Sequence, residues 1–288
     1  MTEHSLSEIQ EFFRQNGYWL AKDLIARPLI ARYLAEATRV CRDHAGTLGD
    51  YNNNPIPGGA AFARLPESEI LSRVLAIHFP HKLSPLFREA LAHPGIVGIL
   101  GQVIGPNVKC AQSMLFVKQA GKPGQAWHQD EYFIPTRDRS LCGVWIALDP
   151  ATRDNGCLRV LPGSHRPGVI YPTRPHGSDE YDGAPEAYGY PEDPASEVVV
   201  EMAPGDVLFF NGYLLHSSRA NRAPAGTYRR ALVHHYLSAE SYLPWDLGGM
   251  IPHTEDNRDI VMVRGDDPYA WKGIENNNRP YLRVETWL

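Results

Sequence analysis

Two histidines and an aspartate carry the strongest chemical signal in the chain. His128 and Asp130 lie in Ala126-Trp127-His128-Gln129-Asp130-Glu131, and His216 lies far downstream in Gly212-Tyr213-Leu214-Leu215-His216-Ser217-Ser218, giving H-x-D followed by a distant H. Two imidazoles and one carboxylate are the donor set that holds a ferrous ion on one face and leaves the opposite face open to reactants. Side chains two apart on an extended segment point the same way, so His128 and Asp130 can converge on one ion while Gln129 faces elsewhere. A third donor from a distant strand would tie that ion to the core.

The tripeptide alone is a short pattern that also arises by chance. Its setting is more specific. The block Leu141-Cys142-Gly143-Val144-Trp145-Ile146-Ala147-Leu148-Asp149, continuing through Asp154-Asn155-Gly156-Cys157 to Pro162-Gly163-Ser164-His165, resembles the central block of the phytanoyl-CoA dioxygenase family. So does Gly205-Asp206-Val207-Leu208-Phe209-Phe210 running on to His216, and the resemblance extends from Phe12-Phe13-Arg14-Gln15-Asn16-Gly17-Tyr18 to about Ser241 in family order, with less likeness after Trp245.

The resemblance implies a mainly β fold with flanking helices, a double-stranded β-helix of the jelly-roll, cupin-like kind. It also implies Fe(II), 2-oxoglutarate as co-substrate and O2, used to hydroxylate an unactivated C–H of a small-molecule metabolite with release of succinate and CO2. In the family an arginine opening the strand after the distal histidine clamps the far carboxylate of 2-oxoglutarate. In the family that arginine lies seven residues before an aromatic, and the resemblance therefore implies Arg229, seven before Tyr236, in that role. Strand alternation lets only one of Arg229 and Arg230 face inward, and the other is expected to be a solvated surface arginine. Ser218, Trp145 and Met114 match positions that line the co-substrate pocket, although Trp145 and Met114 also suit ordinary core filling. Asp130 departs from halogenating relatives, which replace the carboxylate with a small residue. Two other classes use the same ligands: a zinc or manganese barrel protein without oxygenase activity, which would not need the arginine, and a ligand-binding pseudoenzyme.

The elements that must position these residues read as helices first and strands later. Ile9 to Gln15 is a short amphipathic opening, and Leu29, Ile30, Tyr33, Leu34, Ala37, Val40 and Cys41 recur at helical spacing. Ser84-Pro85 predicts an N-cap and first turn, and Pro94 to Ile104 a further helix. Strands are expected at Val108 to Lys118, Leu141 to Asp149, Cys157 to Leu161, Glu197 to Met202, Val207 to Phe210 and Arg229 to Leu237. Turns fall at Gly121-Lys122-Pro123-Gly124, Asp154-Asn155-Gly156, Pro162-Gly163 and Pro204-Gly205-Asp206. His165 is expected to fasten its turn, and His234 and His235 to be structural.

At 288 residues, 43% hydrophobic and 21% charged, the chain suits one domain over 1–288: helical support to about 105, a barrel over about 106–240 and a C-terminal extension at 241–288. A net charge of −5 and a pI near 6.2 without a basic run argue against nucleic-acid and anionic-membrane partners. A small-molecule substrate is expected, and a homo-oligomer stays open. The start lacks the pattern of a secretory signal, and Cys41, Cys110, Cys142 and Cys157 show no C-x-x-C spacing, which together suggest a cytoplasmic protein with reduced, buried thiols. The stretch Val169 to Val200 combines Asp179, Glu180, Asp182, Glu186, Glu192, Asp193 and Glu197 with Tyr171, Tyr181, Tyr188 and Tyr190. Such a lid would favour a neutral or cationic substrate over a coenzyme A thioester, unless it is simply a solvated loop. Asn52, Asn53, Tyr132 and Tyr213 are the candidate substrate contacts.

Overall fold

Strict alternation of side chains on long apolar strands sets the architecture. The computed structural model describes residues 6–56, 64–191, 196–244 and 256–283. The N-terminal part comprises α1 (Leu6–Asn16), β1 (Tyr18–Ala21), α2 (Arg27–His44), α3 (Glu67–Arg73), β2 (Ala76–His78), α4 (Pro85–Ala90) and α5 (Pro94–Val103). As the sequence predicts, Ser84 caps α4, its Oγ accepting from the Phe87 N–H at 3.1 Å. Helix α2 buries Ile30, Tyr33, Ala37, Val40 and Cys41 along one face.

The strands then follow: β3 (Val108–Gln119), β4 (Gln125–His128), the single turn α6 (Asp130–Phe133), β5 (Cys142–Ala147) and β6 (Leu158–Val160). Next come β7 (Thr173–Arg174), β8 (Glu186–Ala187), β9 (Val198–Val200), β10 (Val207–Asn211), β11 (His216–Ser218), β12 (Tyr228–Ser238), β13 (Val261–Arg264) and β14 (Tyr281–Arg283). The large sheet runs β1-β10-β5-β12-β3-β2-β14 with β13 also on β3; the small sheet runs β4-β11-β6-β9, and every pairing is antiparallel. Two antiparallel sheets facing each other make the expected double-stranded β-helix.

Each large-sheet strand presents one face to the helices and one to the barrel interior. Val144, Ile146, Phe209, Leu232 and Tyr236 pack on the helical layer, while Trp145, Leu208, Phe210, Ala231 and Val233 meet Leu158 and Val160 of the small sheet. A bulge interrupts β3, since His235 pairs with Gln112 but Tyr236 pairs with Cys110. The extra residue, Ala111, lets Cys110 face the helices while Gln112 faces inward.

Each strand expected from the sequence overlaps an observed one, whereas β1, β2, β4, β7, β8, β11, β13 and β14 have no counterpart among those expected. The segment taken as a C-terminal extension supplies β13 and β14 to the large sheet. All four cysteines are free and buried, and burial pushes the Cys157 thiol up to about 11 and those of Cys41 and Cys110 to about 12. Among the described residues no helix is long and apolar enough to cross a membrane.

Candidate metal and co-substrate site

The small sheet brings the predicted ligands together. His216 on β11 is the direct partner of His128 on β4, and Asp130 follows two residues later as the chain turns into α6. One donor atom from each of the three lies within 4.8 Å of the others, and all three residues are buried. Asp130 Oδ1 stands 3.7 Å from His128 Nε2 and 3.5 Å from His216 Nε2.

Backbone carbonyls decide which ring nitrogens are free. His128 Nδ1 lies 2.7 Å from Ala126 O and His216 Nδ1 lies 2.9 Å from Leu214 O. A carbonyl only accepts, so each Nδ1 donates and each Nε2 lone pair is turned toward Asp130. Burial, helped by the neighbouring His216, presses the His128 imidazolium down to about 3, which keeps that ring neutral and able to donate to a metal. Burial opposes the Asp130 charge, yet the imidazoles of His216, His235 and His128 prevail and hold its carboxyl below the ordinary carboxylate range. Two imidazoles with their Nε2 atoms turned inward and one carboxylate, converging on a buried point, fit a divalent ion.

His235 completes this arrangement. Its Nε2 is 3.1 Å from Asp130 Oδ2, so it steadies the carboxylate while Oδ1 faces the histidine pair. The expectation that both His234 and His235 are structural holds only for His234, which packs outward and meets Tyr236 Oη at 3.0 Å. Arg229 and His235 share parity on β12, so the placement of one implied that of the other.

Arg229 faces the interior and Arg230 does not. Arg229 is 4% exposed, donates from Nη1 to Gly156 O at 2.7 Å and lies over the Trp145 ring at 5.3 Å, while its Nε has no partner. Burial lowers its guanidinium to about 10, still charged near neutrality. An unpartnered donor on a buried cation suits an incoming carboxylate. Ser218, Trp145 and Met114 line the same cavity, of about 560 Å³, together with the metal triad. Arg230 points to the helical side as a bidentate partner of Asp149, at 2.7 and 2.9 Å, and not into solvent as expected.

Lys118 was missed. It pairs in register with Arg229, lines the cavity, and has its Nζ 3.4 Å from Ser218 Oγ and hydrogen-bonded to Arg219 O. Burial, then the Arg229 charge, hold its ammonium well below the ordinary lysine value. Met114 lies on the same face of β3 four residues earlier, so alternation could have found it. Gly124 lets the preceding loop reach this corner, because a Cβ there would stand 1.9 Å from Ser218 O.

The substrate candidates fare unevenly. Tyr132 borders the cavity mouth, 45% exposed, and meets Thr173 at 3.2 Å. Asn52 and Asn53 are exposed in a tight turn where Asn53 takes φ +67° and Asp50 caps Asn54; their neighbour Tyr51 lines the cavity instead. Tyr213 lies outside the lining, half-buried with the Arg139 guanidinium 5.6 Å from its ring.

The acidic lid also differs from expectation. Glu180 pairs with Arg222, Asp182 with Arg283, Glu186 with Arg174 and Glu197 with Arg159, so these carboxylates are locally neutralised. Glu192 and Asp193 lie outside the described residues. Of this stretch Asp182 and Ala184 line the cavity and the four tyrosines do not. Gln129, between the two ligands, fastens the lid through Val169 O at 3.0 Å and the Tyr171 N–H at 2.8 Å. His165 does fasten its turn, to Arg14 O at 3.1 Å.

A jelly-roll barrel with a buried His-Asp-His centre and an inward arginine defines the general class. The family profile described as Phytanoyl-CoA dioxygenase (PhyH) matches residues 13–231, and the chain belongs to that family. The peroxisomal phytanoyl-CoA dioxygenase of Rattus norvegicus is 30% identical over 248 residues, covering 81% of this chain and 68% of the rat protein. Among solved structures, the apo non-heme monooxygenase ThoJ aligns with a TM-score of 0.67 at 22% identity over 90% of this chain and 84% of its own. The non-heme alpha-ketoglutarate-dependent epimerase SnoN from nogalamycin biosynthesis aligns at 0.65 and 18% identity, over 91% and 97%.

Proposed function

We propose that the protein is an Fe(II)- and 2-oxoglutarate-dependent dioxygenase that hydroxylates an unactivated C–H of a small molecule. The observation that carries this reading is the pairing, in one cavity, of the preoriented His128, Asp130 and His216 donors with the unpartnered Nε of buried Arg229. His128, Asp130 and His216 would hold the iron, and Arg229 with Ser218 would take the far carboxylate of 2-oxoglutarate, Trp145 and Met114 walling its chain. With these bound, the site supplies oxidative chemistry in which R–H, O2 and 2-oxoglutarate give R–OH, succinate and CO2.

The chain's own residues do the preparatory work. Ala126 O and Leu214 O fix the two ring tautomers, His235 steadies Asp130, and Gln129 ties the ligand strand to the lid. Apolar walls limit water at the reacting face. Pairing of Glu180, Asp182, Glu186 and Glu197 with arginines weakens the charge argument against an acyl thioester, and the name of the rat relative supports testing one. The rat protein is called peroxisomal, whereas the thiol pattern suggested a cytoplasmic one.

The test is anaerobic titration of the protein with Fe(II) and 2-oxoglutarate, followed by O2. A visible charge-transfer band and succinate formation are expected; their absence in metal-loaded protein favours a metal-binding barrel without oxygenase activity or a pseudoenzyme. Product mass then separates addition of oxygen from loss of hydrogen or isomerisation.

A further inference from the structure

The cavity has a second polar end, built where β2, β3, β12 and β14 meet. Arg229 and Lys118 are direct partners at one end of the β12–β3 ladder; His235 and Gln112 are direct partners at the other. Six residues of strand separate Arg229 from His235, a span of about 20 Å. His235 lies beside Asp130, so a co-substrate reaching from the triad toward Arg229 leaves the side of the triad lined by Gln112 and His78 to the molecule being oxidised.

His78 on β2 is the key group at that end. It is 7% exposed, lines the cavity and has an Nε2 without a partner. Its Nδ1 is engaged: Tyr281 Oη lies 2.8 Å away and Gln112 Nε2, a donor, lies 3.5 Å away. Nδ1 is thus the acceptor and the ring proton sits on Nε2. Tyr281 stacks on the imidazole at 4.1 Å and 14°, fixing its plane. Burial, with the charge of Arg283 and His235 nearby, keeps the ring neutral by lowering its pKa. Arg283 is paired with Asp182, and His235 with Asp130. Tyr51, Leu75 and Ile134 supply apolar walls.

We propose that this end is the recognition site for the primary substrate, and that the His78 Nε2–H donates to a neutral, hydrogen-bond-accepting oxygen, a carbonyl or hydroxyl, on an otherwise apolar molecule. A buried donor without a partner costs free energy that such an oxygen relieves. The inference deepens the dioxygenase reading and rests on it.

The test uses protein loaded anaerobically with Zn(II) and 2-oxoglutarate, whose binding is measured first by calorimetry. Two matched series follow: 2-octanone, 2-octanol and octane; and 2-acetylnaphthalene, its alcohol and 2-ethylnaphthalene. In at least one series the ketone or alcohol should bind about tenfold tighter than the hydrocarbon. The relative affinities of ketone and alcohol tell which oxygen the site prefers. His78→Phe, which keeps the stack on Tyr281, should erase that preference while 2-oxoglutarate affinity stays within about threefold, and His78→Gln, which restores a donor, should regain part of it. Without any variant, the His78 Nε2–H resonance should move on ketone binding and not on hydrocarbon binding. Failure to bind 2-oxoglutarate overturns the dioxygenase reading. Normal 2-oxoglutarate binding with no oxygen preference in either series, or loss of 2-oxoglutarate affinity in folded His78→Phe, overturns this proposal alone.

Discussion

Replacing Arg229 with alanine isolates the co-substrate clamp. The guanidinium is buried, keeps one backbone bond, to Gly156 O at 2.7 Å, and has an unpartnered Nε. Removing one member of a desolvated charge pair costs about 2 to 5 kcal/mol, or about 30-fold to a few thousand-fold in affinity. Lys118 is a second nitrogen donor at this end, with its Nζ 3.4 Å from Ser218 Oγ, and would retain part of the carboxylate's hydrogen bonding. The expected loss is therefore about 30- to 300-fold in 2-oxoglutarate Kd. Arg230→Ala serves as the matched control, because Arg230 spends its charge on Asp149 across the helical layer. It should lower the melting temperature and leave the Kd within about twofold. Anaerobic calorimetry with Mn(II) measures both proteins without turnover. A folded Arg229→Ala protein that binds 2-oxoglutarate normally, or an Arg230→Ala protein that loses it, would falsify the assignment of the inward face.

The triad gives a second expectation: His128→Ala, Asp130→Ala and His216→Ala should each abolish iron-dependent 2-oxoglutarate decarboxylation with circular dichroism unchanged, and a fully active Asp130→Ala protein would end the metal reading. His235→Leu should weaken metal affinity about 10- to 100-fold, read by competition with a chelator, because Asp130 Oδ2 loses its 3.1 Å partner; equal affinity would make His235 a bystander. The metal-free protein should also lose stability as pH falls. Burial lowers His81 to about 4 and His234 to about 3, from an ordinary 6.5, so the unfolded chain takes up their protons first. The stabilisation is complete above 6.5 and declines as pH falls toward 4 and then 3, worth at most about 3 kcal/mol for His81. Denaturant midpoints of wild type and His81→Gln over this range check it; identical slopes would remove His81 from the account.

The barrel was legible where strands are long. Val108 to Lys118 and Arg229 to Leu237 are long runs without glycine or proline, bounded by turn residues, and local pattern locates them. The ligands His128 and His216 were legible as chemistry, through their types and surroundings, although β4 and β11 are too short to register as strands. Lys118 and His235 lay within reach of alternation counted from Met114 and Arg229. Counting in twos from Gln112, however, would also have turned Cys110 inward, and the bulge at Ala111 prevents that. The wall from β14 could not be read locally, because Tyr281 meets His78 across about two hundred residues of chain. Nor could the pairing of Glu180, Asp182, Glu186 and Glu197 with arginines, which forms only in three dimensions.

Strand β14 is three residues long and lies at the edge of the large sheet, held by β2 on one side and by a single bond, Leu282 N–H to Gly49 O at 2.9 Å, on the other. Short edge strands with few ladder bonds open at low free-energy cost, whereas β12, paired along both flanks by β3 and β5, opens only with the whole barrel. Amide hydrogens at Tyr281–Arg283 should therefore exchange well before those of β12. Each such opening parts Arg283 from Asp182 and lifts Tyr281 off His78 while the carbonyls that orient His128 and His216 stay in place. The metal-ligand end of the cavity and its β14 wall would then belong to different cooperative units, so that one can breathe without disturbing the other.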